Sequence, residues 1–314
     1  MSNLTFASLF TGGGGADLGA VQAGLKPIWG VEINPKIAVI AKRNLDHKML
    51  LGDINYINYS KLSRPDWLHA SPPCVNASTA NNGKETQEDV ELAQTICRAI
   101  ETFEPEYFSL ENVAGYLSFD AFDLIFKKVI TKYRFSFKSV LDCADYGIPQ
   151  SRKRLFFVAS NNDFSLFQKL ELQKKRVSWH EAIADLIPTL PEWELTKSQK
   201  QRLYKSFPYD NPDLAIQNSG SRKDKNGNPK NTIRLANEPI WTIRAMSGNV
   251  RVNPHQVTLI IDGKVLRPSI QCYARWQGFP DDYQWSGDFK LDMKICGNAV
   301  PPKFFAQLIK EVIN

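Results

Sequence analysis

The sequence predicts an α/β protein, a doubly wound and mostly parallel sheet joined to a smaller, irregular, β-rich domain. Three observations lead there. Short apolar runs alternate with helix-length patterns from residue 4 to about residue 160. Polar or reactive groups follow the apolar runs, at the strand ends where such sheets bind ligands. Beyond residue 161 the rhythm breaks into scattered prolines and short β-like runs. The expected division is 1–160 plus 283–314 for the first domain and 161–282 for the second.

The first strand covers 5–10 and is followed by Thr11 and four glycines, Gly12, Gly13, Gly14 and Gly15. Residues 16–23 read as a helix that Gly24 can end. Strand, glycine turn and helix let the backbone approach a nucleotide-like ligand closely. A dinucleotide fingerprint needs glycine at 17 or 18, where Asp17 and Leu18 stand. A phosphate loop needs lysine where Ala20 stands. Both phosphate readings fail.

The second strand, 28–33, carries Glu32 at its end, and Asn34-Pro35 begins a helix as N-cap and first helical residue. A carboxylate there can accept from ribose hydroxyls, or simply face the helix dipole. A third strand near 49–51 leads to Asp53-Ile54, where Asp53 can accept from an adenine amine.

The fourth strand, 67–70, runs into Ser71-Pro72-Pro73-Cys74. Two prolines stiffen that turn and present the Cys74 thiol at a strand end. Taken alone, a single cysteine is more often an inert buried side chain. The polar stretch 76–88 is long for a connection, which suggests a mobile functional loop. Then come a helix (88–103), a strand (107–110) ending in Glu111-Asn112-Val113, a helix (121–132), a strand (135–141), Gln150-Ser151-Arg152-Lys153-Arg154 and a last strand (155–159). Further on, 179–187 reads as a helix before Pro188, and 220–230 as a flexible basic loop. Gly297-Asn298-Ala299-Val300-Pro301-Pro302 opens an amphipathic helix expected to pack back on the first domain.

The totals narrow the function classes. Five scattered cysteines, with no Cys-x-x-Cys pair and no histidine cluster, suggest a reduced compartment and no metal. No membrane-length apolar run and no signal peptide are seen, so a cytoplasmic protein is expected. Residues 161–270 hold 17 lysines and arginines against 11 acidic residues, which accounts for the whole net charge of +6. A basic half beside a neutral half suits an acidic partner, most commonly nucleic acid.

Six ordered blocks give the chain a family resemblance: Phe10-Thr11-Gly12-Gly13-Gly14-Gly15, Pro72-Pro73-Cys74, Glu111-Asn112-Val113, 150–154, 274–281 and 297–301. Together they resemble the DNA (cytosine-5-)methyltransferases of restriction-modification systems. The resemblance implies a Rossmann-like catalytic domain that binds S-adenosylmethionine and yields S-adenosylhomocysteine, and a target-recognition domain at 161–282. It implies that Cys74 attacks carbon 6 of a flipped-out cytosine and that Glu111 holds ring nitrogen 3 and the exocyclic amine. Arg154 is expected on the ring oxygen and Glu111, and Arg152 near the sugar-phosphate. The cofactor is expected against Phe10, the four glycines, Glu32, Ile33, Asp53, Ile54, Pro73, Asn298 and Ala299. Thr242-Ile243 resembles an element common in the family's recognition domains.

Double-stranded DNA is the implied partner, with a monomer as the family expectation and a cognate endonuclease as a possible companion. Two departures stand out: Val75-Asn76-Ala77 after the cysteine, and Gln271-Cys272 in place of the usual Arg-Glu pair. Two other readings remain. A tRNA-methylating branch carries Cys-Phe-Thr, which this chain lacks, and an inactive DNA-binding relative would be expected to have lost Cys74 or Glu111.

Overall fold

The computed structural model describes residues 4–74, 76–77, 84–164, 176–206, 212–217, 233–245 and 255–313. Val75, Ser78, Asn81-Asn82-Gly83 and the basic loop 220–230 lie outside them. The chain forms two compact units. The first comprises Met1–Tyr146, Arg152–Gln173 and Ala299–Asn314; the second comprises Gly147–Ser151 and Lys174–Asn298. The unit limits thus fall at other residues than the expected 160/161 and 282/283.

In the first unit, β1 (Thr5–Leu9), α1 (Gly15–Gln22), β2 (Lys26–Glu32), α2 (Pro35–Asn44), β3 (Lys48–Leu51) and β4 (Trp67–Ala70) follow the predicted alternation. They continue into α3 (Gln87–Phe103), β5 (Tyr107–Asn112), α4 (Asp120–Lys132) and β6 (Phe135–Asp142). After β7 (Gln150–Ser151), which belongs to the second unit, the chain returns as β8 (Lys153–Ser160). The seven-stranded sheet has the order β3-β2-β1-β4-β5-β8-β6. β8 alone runs against its neighbours, so the sheet is mostly parallel as expected.

Two consequences position the site. The strand order reverses between β1 and β4, and ligands of such sheets bind at the carboxyl ends beside that switch. Because β8 is antiparallel, its start lies at the same edge as the ends of β4 and β5. The apolar core beneath that edge includes Trp29, Leu68, Phe108, Phe122 and Phe157, all essentially buried. Burial of each such side chain contributes about 1.5–3 kcal/mol.

In the second unit, Trp179, Ile243, Tyr273, Trp276 and Met293 form the core. Its elements are α5 (Lys197–Ser206), β9 (Leu214–Gln217), β10 (Ile233–Leu235), β11 (Ile240–Trp241), β12 (Val257–Ile261), β13 (Lys264–Leu266), α6 (Ile270–Gln277) and α7 (Phe289–Asn298). β10-β9-β12-β13 form an antiparallel sheet, and β7 pairs with β11 in parallel. The helix expected at 179–187 is instead two short 3-10 turns, Glu181–Ile183 and Ile187–Thr189. Pro188 lies in the first positions of the second turn and supplies no backbone donor to continue a helix.

The chain ends with α8 (Pro302–Ile313), back in the first unit as expected. It packs on α1 so closely that a Cβ at Gly19 would stand 2.8 Å from the Pro302 carbonyl and 3.0 Å from Phe305 Cβ.

Candidate active site

Parallel pairing of Leu9 with Ala70 sets the turns after β1 and β4 side by side. The first turn starts at Phe10, which holds the left-handed φ of 62° that a bulky side chain rarely adopts. Gly12 follows at φ 57°, and nothing lies within 4 Å of where its Cβ would be. Gly14 and Gly15 are different: a Cβ on Gly14 would strike Leu45, and one on Gly15 would strike the Val300 carbonyl. The open face of the turn is therefore at Gly12.

Glu32 ties that turn to the end of β2. Its Oε2 accepts from Gly12 N–H at 2.9 Å, and its Oε1 accepts from Asn34 N–H at 2.7 Å. Asn34 caps α2 as predicted, accepting from the N–H groups of Lys36 and Ile37. Asp53 Oδ1 accepts from Asn55 N–H at 2.9 Å. Ile33 is 65% exposed, whereas the Ile54 side chain is 4% exposed and belongs to the apolar core.

After β4, Cys74 is half-buried and Pro73 exposed. Asn112 Nδ2 donates to the Pro72 carbonyl at 3.1 Å and fixes the turn from β5. Glu111, 4% exposed, accepts from Ser71 Oγ at 2.9 Å through Oε2. Its Oε1 faces Arg154 Nε at 3.3 Å, yet makes no hydrogen bond of proper geometry. Glu111 pairs across the ladder with Phe156, two residues along from Arg154, so the contact is diagonal and within reach of a long side chain.

Arg152 is 1% exposed and donates through Nη2 to the Ala299 carbonyl at 3.1 Å. Its charge still acts on Glu111 and Cys74. Burial first, and then the Arg154 charge, lower its pKa to about 10. Burial, with the Glu111 charge second, pushes the Cys74 thiol above its ordinary value, while Arg154 and Arg152 pull the other way.

The arrangement combines a thiol, a buried carboxylate with one oxygen lacking a hydrogen bond, and a guanidinium beside an open glycine turn. The family model for C-5 cytosine-specific DNA methylase matches residues 4–314. The chain belongs to this family.

Relatives of the methylase include the type II methyltransferase M.FnuDI of Fusobacterium nucleatum, 27% identical over 98% of this chain and 94% of its own length. M.MthTI of Methanothermobacter thermautotrophicus is 28% identical over 99% and 97%. The S. pombe Dnmt2 methyltransferase superposes with a TM-score of 0.64 at 17% identity, covering 98% of this chain and 97% of its own, a likeness of fold. The mixed α/β architecture and the enzyme class expected from the sequence are borne out.

Of the methylase residues singled out in the sequence, Phe10, Gly12–Gly15, Glu32, Asp53, Cys74, Glu111, Arg152, Arg154 and Ala299 all belong to the first unit. Asn298 ends α7 in the second. Among the described residues no group of His, Cys, Asp and Glu suits a metal ion, and no helix is long and apolar enough to cross a membrane.

Sequence reasoning missed the anchors of the Cys74 segment. Asn76 Nδ2 donates to Asp89 Oδ2 at 2.9 Å and to Thr86 Oγ1 at 3.2 Å, joining the capping box that starts α3. The Thr-x-x-Asp spacing of Thr86 and Asp89 was the available signal. It also missed how Gln271 and Thr242 are used. Gln271 donates to Asp281 at 2.7 Å, and Thr242 Oγ1 donates to the Ser151 carbonyl at 2.7 Å, both within the second unit.

Proposed function

We propose that the methylase modifies carbon 5 of a cytosine swung out of duplex DNA within one particular sequence, as the modification half of a type II restriction-modification pair. The observation that carries this reading is the meeting of Cys74, Glu111 and Arg154 at the sheet edge that also holds the open glycine turn. The type II role is supported by the relatives, which bear that designation across nearly their whole length.

The family implies S-adenosylmethionine as methyl donor. The residues fit it: open space over Gly12, carboxylates at Glu32 and Asp53, and an exposed apolar side chain at Ile33. When bound, the donor supplies an electrophilic methyl group on a sulfonium.

The protein's own groups prepare the base. Cytosine carbon 5 is a poor nucleophile until Cys74 Sγ bonds to carbon 6. Buried beside Glu111, the thiol keeps its proton in the free protein. As Sγ bonds to carbon 6 the thiol's proton leaves to water, and ring nitrogen 3 takes up a proton from water by way of Glu111, so the charge gained by the ring is neutralised. Glu111 also accepts from the exocyclic amine, and Arg154 holds the ring oxygen. Arg152 braces Ala299 from within the core. Once carbon 5 carries the methyl group, its proton leaves to water, the electron pair closes the 5,6 double bond, and the Cys74–carbon 6 bond breaks to release the thiolate. Extruding the base costs a few kcal/mol, which contacts to the duplex must offset. We assign those contacts to the second unit, whose basic segments suit phosphates.

The test uses labelled S-adenosylmethionine with duplex DNA, with tRNA, and with the Cys74→Ser variant. Label in DNA, lost in the variant, is expected; label in tRNA alone would overturn the substrate. An adduct on DNA containing 5-fluorocytosine would report the thiol attack, and base-resolution mapping would supply the target sequence.

A further inference from the structure

Beneath the glycine turn, four polar side chains form a chain that none of the roles above uses. Asp17, in the first turn of α1, is completely buried. Ser8 Oγ, on β1, stands 3.0 Å from each oxygen of the Asp17 carboxylate. Thr11 Oγ1 stands 2.8 Å from Ser8 Oγ. His47 Nε2 reaches Asp17 Oδ1 at 2.9 Å, with the imidazole 1% exposed.

The chemistry gives this chain a direction. An ionised carboxylate only accepts, so the single Ser8 hydroxyl proton goes to Asp17, and the Thr11 hydroxyl proton goes to Ser8. Thr11 is thereby held at the root of the turn. Its N–H donates to the Val31 carbonyl at 2.8 Å, and its carbonyl accepts from Gly14 N–H at 2.9 Å. The fold also reserves space for the network on β2. A Cβ at Gly30 would collide with Thr11 Oγ1 and lie 3.1 Å from Ser8 Oγ and 3.3 Å from His47 Cε1.

A buried carboxylate needs compensation, and His47 is the cationic group that can supply it. Burial works most strongly against the imidazolium, but the hydrogen bond and charge of Asp17, with a backbone hydrogen bond and the Asp46 charge, together outweigh it, and the His47 pKa lies above its ordinary value. Asp17 from α1 and Asp46 from its own segment are the charged groups acting on it. β1, β2 and the turn contribute Ser8, Thr11 and Gly30, none of them ionisable.

We propose that His47 and Asp17 are a positioning pair for the methyl-donor site, holding the glycine turn through Ser8 and Thr11 so that donor affinity depends on the imidazolium. This rests on the reading of that turn as the donor site. The sign follows from the raised His47 pKa. The ion pair is complete below the ordinary histidine range and is lost as pH rises through the folded value, so donor affinity falls on the alkaline side. Thiolate formation at Cys74 moves oppositely with pH, which separates donor KM from kcat.

The test measures S-adenosylhomocysteine and S-adenosylmethionine binding to the intact wild type and His47→Gln by calorimetry, from about pH 6 to about pH 9. The glutamine amide can donate to Asp17 but has no charge to lose. Taking the ratio of wild-type to variant affinity cancels the ligand's own titration. Near neutral pH the variant should bind roughly tenfold more weakly and show raised donor KM with kcat little changed. The ratio should shrink as pH rises. Asp17→Asn is the companion, checked by its melting curve; His47→Gln carries the test if that variant does not fold. A constant ratio, or a fall in kcat with donor KM unchanged, would overturn the proposal while leaving the donor site standing. No binding by the wild type at any pH would remove the donor-site reading and this proposal with it.

Discussion

Gly115→Ala probes the segment behind the nucleophile from outside the site. Gly115 sits in the short 3-10 turn Ala114–Ser118 that follows β5, and its own surface is exposed. A methyl there would collide with the Ala77 carbonyl oxygen and stand 3.4 Å from that carbonyl's carbon. The obstacle is backbone, three residues beyond Cys74, so no rotamer change can relieve it. The segment is also held on both sides, by Asn112 on the Pro72 carbonyl and by Asp89 and Thr86 on Asn76. Overpacking of this kind costs about 1–3 kcal/mol if the segment stays in place. At about 2–4 °C per kcal/mol for a chain of this size, melting would fall by several degrees. If the segment shifts instead, the thiol moves with it, and a displacement of about 1 Å costs roughly 100-fold in rate. Calorimetric melting and labelled methyl transfer to duplex DNA should therefore show one loss or the other, with donor binding unchanged. Wild-type melting together with wild-type turnover would refute the reasoning.

Other expectations follow from the same geometry. Glu111→Gln removes a charge that raises the Cys74 pKa, so iodoacetamide should alkylate the thiol faster while methyl transfer falls by about 100-fold or more. In the wild type, alkylation should quicken up to about tenfold per pH unit until the raised thiol pKa is reached. Glu32→Ala leaves the N–H groups of Gly12 and Asn34 without their acceptor, and donor affinity should fall roughly tenfold, read by calorimetry. Gly19→Ala presses a methyl against the Pro302 carbonyl and Phe305, so denaturant unfolding should show a loss of about 1–3 kcal/mol.

Much of the first unit was legible because its strands are short apolar runs bounded by turn residues. β4 falls at the expected residues, and the Asn34-Pro35 start of α2 was readable from capping chemistry alone. The reversal of β8 was not legible, since an apolar strand has the same pattern in either direction. That reversal is what brings Arg154 to Glu111. Ile54 was read with the adenine pocket by its neighbour Asp53, yet its side chain turns into the core. In the second unit, α6 and α7 escaped because each is short and amphipathic among prolines. The His47–Asp17 pair escaped for another reason. Its partners are 30 residues apart, and nothing local marks a histidine as buried.

The antiparallel seam between β5 and β8 also acts as a ruler. Facing residues alternate sides with a period of two, so Glu111 and Arg154 share a face only while the ladder keeps its register. A single-residue insertion between Arg154 and Phe156 would turn the arginine to the opposite face while leaving the downstream strand pairing intact. An insertion in the turn before Gln150 would leave that parity untouched. In this chain a change of length should therefore be tolerated before Gln150 and should abolish the Glu111–Arg154 contact between Arg154 and Phe156.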